Sequence, residues 1–105
     1  MELGVKDRLV LLAVLSGAEG NLTELRVLRD LQREASFGED ELAAVGMTSE
    51  EGRTMWNPEA EQPKDIEIGE AAKGIVVRKL KELNRQGKLT AEMLDLVDKF
   101  PEVEG

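Results

Sequence analysis

The chain has 105 residues and a formal net charge of −8, with 22 acids against 14 bases, and neither cysteine nor histidine. That length suits one domain with one modest core. The two missing residue types exclude disulfides, thiolate chemistry, zinc held by cysteine or histidine, and an imidazole general base.

The first helix is expected from about Val5 to Ser16. Its apolar residues Val5, Leu9, Val10, Leu11, Leu12, Val14 and Leu15 nearly encircle the axis, as in a central helix or one at a subunit contact. The apolar run 9–15 is short for a signal sequence and far too short to span a bilayer. A buried first helix in a cytoplasmic protein, with no membrane partner, is therefore expected. Gly17 and Gly20 end it.

"NLTELRVLRDLQREAS" reads as an amphipathic helix capped by Asn21, with Glu24 completing a capping box. Leu25, Leu28, Leu31 and Ala35 form its predicted buried stripe, with Leu22 beside it, and Arg26, Arg29 and Arg33 fall on the polar side. Ser36 and Glu39 repeat the start signal for a short third helix that ends near Gly46. "MTSEEG" then reads as a polar linker.

"TMWNPEAEQPKDIEI", residues 54–68, contains the only tryptophan and reads as strand, turn, strand. A hairpin is predicted at about 53–69, with its loop at 58–63. Trp56 opposite Ile66 and Thr54 opposite Ile68 would form one face, over the aliphatic core. Arg53, Met55, Asn57, Asp65 and Glu67 would share the other.

Helical spacing resumes from 70 to about 86, with Ala72, Val76, Leu80 and Leu83 on one face and Gly87 at the end. A last helix is expected after Thr90, with Leu89 and Leu94 as a hydrophobic staple. Met93, Leu94, Leu96, Val97 and Phe100 form its apolar side, and Pro101 closes it. The fold class is thus mainly α, with about five helices in a compact bundle and one β-hairpin between the third and fourth. Three helices followed by a hairpin also match the order of a winged helix.

Charge is unevenly placed along this plan. Residues 37–70 hold ten acids against Arg53 and Lys64, whereas residues 71–88 hold six bases against Glu82. Arg78, Lys81, Arg85 and Lys88 recur at i, i+3, i+7 and i+10, a basic stripe opposite the Val76/Leu80 side. Such a stripe can track phosphates, which makes a winged-helix DNA-binding regulator the alternative reading. Two features oppose it. The net charge repels polyanions, and the helix that would enter the groove opens with Glu39, Asp40 and Glu41. Base stacking is also poorly served, since aromatics are 3% of the chain.

Asp65 and Glu67, with Lys64, Glu70 and Lys73 nearby, loosely match a magnesium nuclease core, but the rest of such a sheet is missing. No phosphate-binding glycine loop, nucleophile elbow or zinc spacing occurs. No catalytic, cofactor-binding or metal-ligating residue is therefore assigned. The leading expectation is an acidic protein-binding module, non-enzymatic and prone to self-association. Its contact surface is Met55, Glu59, Glu61, Asp65 and Glu67 within the acidic 37–70 region.

The order "VKDRLVLLAVL", "NLTELRVLRDL", "MWN", "DIEIGEAA" and "KLTAEMLDLVDKF" is similar to small phage- or prophage-type proteins of unassigned role. The resemblance implies a short intracellular accessory, inhibitor or assembly protein of mobile-element origin, and it carries no site residue across.

Overall fold

Most helix ends follow the caps written into the chain. The computed structural model describes residues 1–104. Its helices are α1 (Val5–Ser16), α2 (Leu22–Ala35), α3 (Glu39–Val45), α4 (Glu70–Arg85) and α5 (Leu94–Asp98). The predicted box at α2 forms: Asn21 Oδ1 accepts from the Glu24 amide at 2.9 Å, and Glu24 Oε1 accepts from the Asn21 amide at 3.1 Å. At α3 the cap shifts to Gly38, because the Ser36 hydroxyl donates back to the Gln32 carbonyl at 2.6 Å. Gly46 ends α3 in the left-handed conformation, φ 62°.

The last helix is shorter than expected and is flanked by 3₁₀ turns at Ala91–Met93 and Pro101–Val103. Thr90 makes no side-chain cap bond, and Leu94 is 55% exposed, so the staple does not form. Pro101 opens a further turn that buries Val103 rather than closing the chain.

α1, α2 and α4 pack together with α5 and the final turn. Leu11, Leu28, Leu31, Val76, Leu80, Leu96 and Phe100 fill their interior. α2 and α4 run antiparallel, since Glu34 and Ala71 border one groove while Glu24 meets Arg78 further along. The buried stripe of α2 begins only at Leu28. Leu25 is 42% exposed and Leu22 65% exposed, contrary to the predicted stripe.

A hairpin does lie between α3 and α4, but not with the predicted strands. β2 (Thr48–Glu50) pairs antiparallel with β3 (Arg53–Met55), with Thr48 opposite Met55, Ser49 opposite Thr54 and Glu50 opposite Arg53. The turn places Glu51 at φ 51° and Gly52 at φ 77°, the sign required at both central residues of a type I′ hairpin. Residues 47–52 looked like linker because Thr48, Ser49 and Glu50 have no apolar alternation. Beyond Met55 the strand stops. Asn57 caps a 3₁₀ turn, Pro58–Ala60, its side-chain oxygen accepting from the Glu59 amide at 3.1 Å.

The predicted second strand finds a different partner. β4 (Lys64–Asp65) pairs with β1 (Glu2–Leu3) at the start of the chain. The Ile66 amide donates to the Met1 carbonyl at 2.8 Å. Leu3 and Ile66 are both fully buried, and joining them to the helical core fixes this pairing. Trp56 therefore does not sit over Ile66. It borders a groove of about 610 Å³ with Lys6, Leu9, Val10 and Ala13 of α1.

Candidate functional site

All six strand residues of the β2–β3 ribbon are exposed. Among the described residues its extensive contacts are between its own two strands. The groove that Trp56 borders is also lined by Gly52, Arg53 and Thr54, so it separates the ribbon from α1. Strand alternation then fixes the faces. Thr54 shares the groove side with Trp56, and Arg53 also borders the groove, whereas Thr48, Glu50 and Met55 form the outer face. Met55 is 61% exposed there. A two-stranded ribbon standing off its own protein is marginally stable alone.

The predicted contact acids divide into two groups. Glu61 and Asp65 are each bonded within the chain, Asp65 with a side chain that is 79% exposed. Glu61 Oε1 accepts from the Val5 amide and so caps α1, whose own N-cap residue, Gly4, has no side chain. Asp65 Oδ1 holds the Met1 ammonium at 2.8 Å. Glu59 and Glu67 are exposed. Glu59 lies on the turn that packs against α3, whose exposed Glu39 and Asp40 extend the acidic surface. Met55 and Glu59 thus belong to one end of the molecule. Glu67 instead borders a different groove, with Val27, Asp30 and Glu34 of α2.

The basic stripe is exposed as predicted, but it is not free of acids. Arg78 is bonded to Glu24, and Arg85 to Glu82. Bonds from the Asn21 amide and from Arg78 hold the Glu24 carboxyl below its ordinary range. Neighbouring Lys79 donates to the Glu19 carbonyl, which ties α4 to the loop before α2. Lys81 and Lys88 make no ion pair among the described residues.

The outer face of α2 is the more open basic surface. Arg26 and Arg29 are exposed and make no ion pair among the described residues, and Arg33 lies 3.9 Å from Asp30. Leu22 and Leu25 lie beside them. At the helical repeat Leu22 is roughly 150° from the Leu28/Leu31/Ala35 side and Leu25 about 90°, so that angular offset was the available signal.

Sequence reasoning missed Arg8. It is 2% exposed, in a helix otherwise read by its apolar residues. Its Nε donates to the Ala35 carbonyl at 3.0 Å, and Nη2 donates to the Ser36 carbonyl at 2.7 Å. Nη1 meets Glu41 Oε2 at 2.5 Å, and the guanidinium lies 3.9 Å from the Phe37 ring centroid. The bond from Arg8 holds the Glu41 carboxyl below its ordinary value of 4.5. This cluster joins α1 to the α2–α3 junction. Its charge is matched and its donors are occupied, which marks it as structural.

Among the described residues no group of three or more acids could hold a metal ion, and no helix is long and apolar enough to cross a membrane. Comparison with known proteins finds no family model, curated protein or solved structure that matches this chain.

Proposed function

We propose that this protein is a small, non-enzymatic, protein-binding module, an accessory, inhibitor or assembly protein of the phage or mobile-element kind. It acts through the ribbon at residues 48–55 and the acids around it. The observation that carries this reading is the ribbon's exposure, with all six strand residues accessible and Met55 projecting from the outer face. A covering partner supplies the contacts that the body of the protein does not. Glu39, Asp40 and Glu59 frame the contact, favouring a partner with basic residues around an apolar spot. Glu61 is engaged as a helix cap, whereas Asp65 keeps an exposed side chain beside its bond to the Met1 ammonium.

A photoreactive side chain at Thr48, opposite Met55 on the outer face, tests this reading. Adducts should form in cells that make the protein and should disappear when Met55→Asp is added without lowering the melting temperature. Adducts that survive Met55→Asp would place the contact elsewhere.

The second reading is the DNA-binding regulator. It is favoured by the exposure of Arg78, Lys81, Arg85 and Lys88 together with the order α1, α2, α3, ribbon. Against it, Arg78 and Arg85 already hold carboxylates, and α3 opens with Glu39, Asp40 and Glu41. A salt-sensitive shift of duplex DNA, abolished by charge reversal at Arg78, Lys81 and Arg85, would establish this reading over the first.

A further inference from the structure

We infer that the partner of the ribbon is a second copy of this chain, which receives it on the outer face of α2. This rests on the reading of the ribbon as a protein-contact surface and names its occupant. Two surfaces on one molecule are complementary in both charge and polarity. The ribbon end offers exposed Met55 with Glu50, Glu51 and Glu59 nearby in the chain. The outer face of α2 offers Leu22, 65% exposed, and Leu25, 42% exposed, beside Arg26 and Arg29.

Neither surface is satisfied within its own chain. Arg26 and Arg29 make no ion pair among the described residues, and Glu50 and Glu51 make none either. Ribbon and α2 are also not in extensive contact within one copy. The α4 stripe is a poorer receiver, because Arg78 and Arg85 are already occupied and no large apolar side chain beside them is exposed.

Ribbon on α2 is a contact between two different surfaces, and each copy brings one of each kind. Such a contact closes reciprocally in a two-fold dimer, closes in a larger ring or continues as a chain. The geometry therefore predicts assembly that grows with concentration.

Sedimentation velocity of the full chain at about 0.1 M salt, where the screening length is about 10 Å, reads this out. The unaltered protein should gain mass with concentration beyond that of a monomer. Glu50→Lys with Glu51→Lys removes the donor surface, and Arg26→Glu with Arg29→Glu removes the receiver. Each double variant alone should associate at least about tenfold more weakly. Mixing the two should then restore association, because the new lysines of one ribbon meet the new glutamates of the other copy's α2 while the second contact keeps its native charges. Thermal melting confirms that each variant folds, and Leu22→Gln replaces the arginine pair if that variant melts early.

An unaltered protein that stays monomeric, or a mixture that fails to pair, would overturn the inference. The Thr48 crosslink separates this from failure of the underlying reading. Adducts only with a second copy support both. Adducts with a different protein overturn self-association alone, and no adducts overturn both.

Discussion

Arg8 is the residue on which the junction of α1, α2 and α3 depends. Replacing it with methionine keeps most of the stem but strands the Ala35 and Ser36 carbonyls and leaves Glu41 without its main partner. Arg8→Met should cost about 2–4 kcal/mol in urea unfolding followed by Trp56 fluorescence, the range for breaking a buried hydrogen-bonded charge network. Its partner sets a pH dependence. The Glu41 carboxyl titrates below 4.5 when folded, so its stabilisation is present above that value and is lost as the pH falls through the lowered one. Glu24 and Glu102 shift in the same direction, held down chiefly by the Asn21 amide and by Lys73 respectively. Asp7, raised by burial, opposes them. The melting temperature should therefore fall steeply only below about pH 4.5, and Glu41→Gln should flatten part of that fall while lowering the neutral-pH value. Trp56 gives a separate contrast. Its indole N–H is buried without a partner, a group that costs about 1–3 kcal/mol to leave unpaired. Trp56→Phe should change the melting temperature little, whereas Trp56→Ala should lower it by emptying the ring's place beside α1. Equal losses for the two would mean that the indole nitrogen has a partner after all.

At the scale of elements, the start of α1 shows how a loop residue can stabilise a distant helix. Gly4 leaves the helix without a side-chain cap, and Glu61 reaches in from the loop to accept from the Val5 amide. A Cβ on residue 4 would lie 2.7 Å from Glu61 Oε1, so Gly4→Ala should expel that carboxylate. Gly4→Ala and Glu61→Ala should each cost about 1 kcal/mol, the usual worth of a cap, and the double variant about the same as either one. Additive losses in that cycle would show that the two positions act independently. The same contrast explains what could be read in advance. α1, α2 and α4 were legible because their caps and spacing are local, and α2 carries its whole capping box within four residues. Gly46 and Gly87 marked helix ends for the same reason. β1–β4 was not legible, because three helices and the ribbon separate Leu3 from Ile66 along the chain. The ribbon was missed because it lacks an apolar face, and its turn uses Glu51 where asparagine or aspartate would signal more strongly. The candidate site was half legible. Composition located the acidic region, but it could not show that Glu61 turns to cap α1 or that Leu22 and Leu25 face outward.

For the molecule as a whole, the decisive comparison is between its size and the reach of its charges. Its extents are 35 × 27 × 24 Å. At 0.01 M salt the screening length is about 30 Å, so an approaching copy feels the entire net charge and is repelled. At 0.15 M it is about 8 Å, and the net charge no longer acts across the molecule. Local pairs such as Glu50 or Glu51 against Arg26 or Arg29 can then act while the distant acids are screened. At 1 M it is about 3 Å, and these exposed pairs are screened as well. Association of copies should therefore pass through a maximum near 0.1–0.2 M salt and weaken on either side. Light scattering at fixed protein concentration across that series measures the curve. A steady rise with salt would mean that the apolar groups, Met55 against Leu22 and Leu25, act without help from charge. A steady fall from the lowest salt would mean that patch attraction already exceeds net repulsion at long range. That outcome would fit a closed ring of copies, where each acidic end stays next to a basic face, better than an open chain.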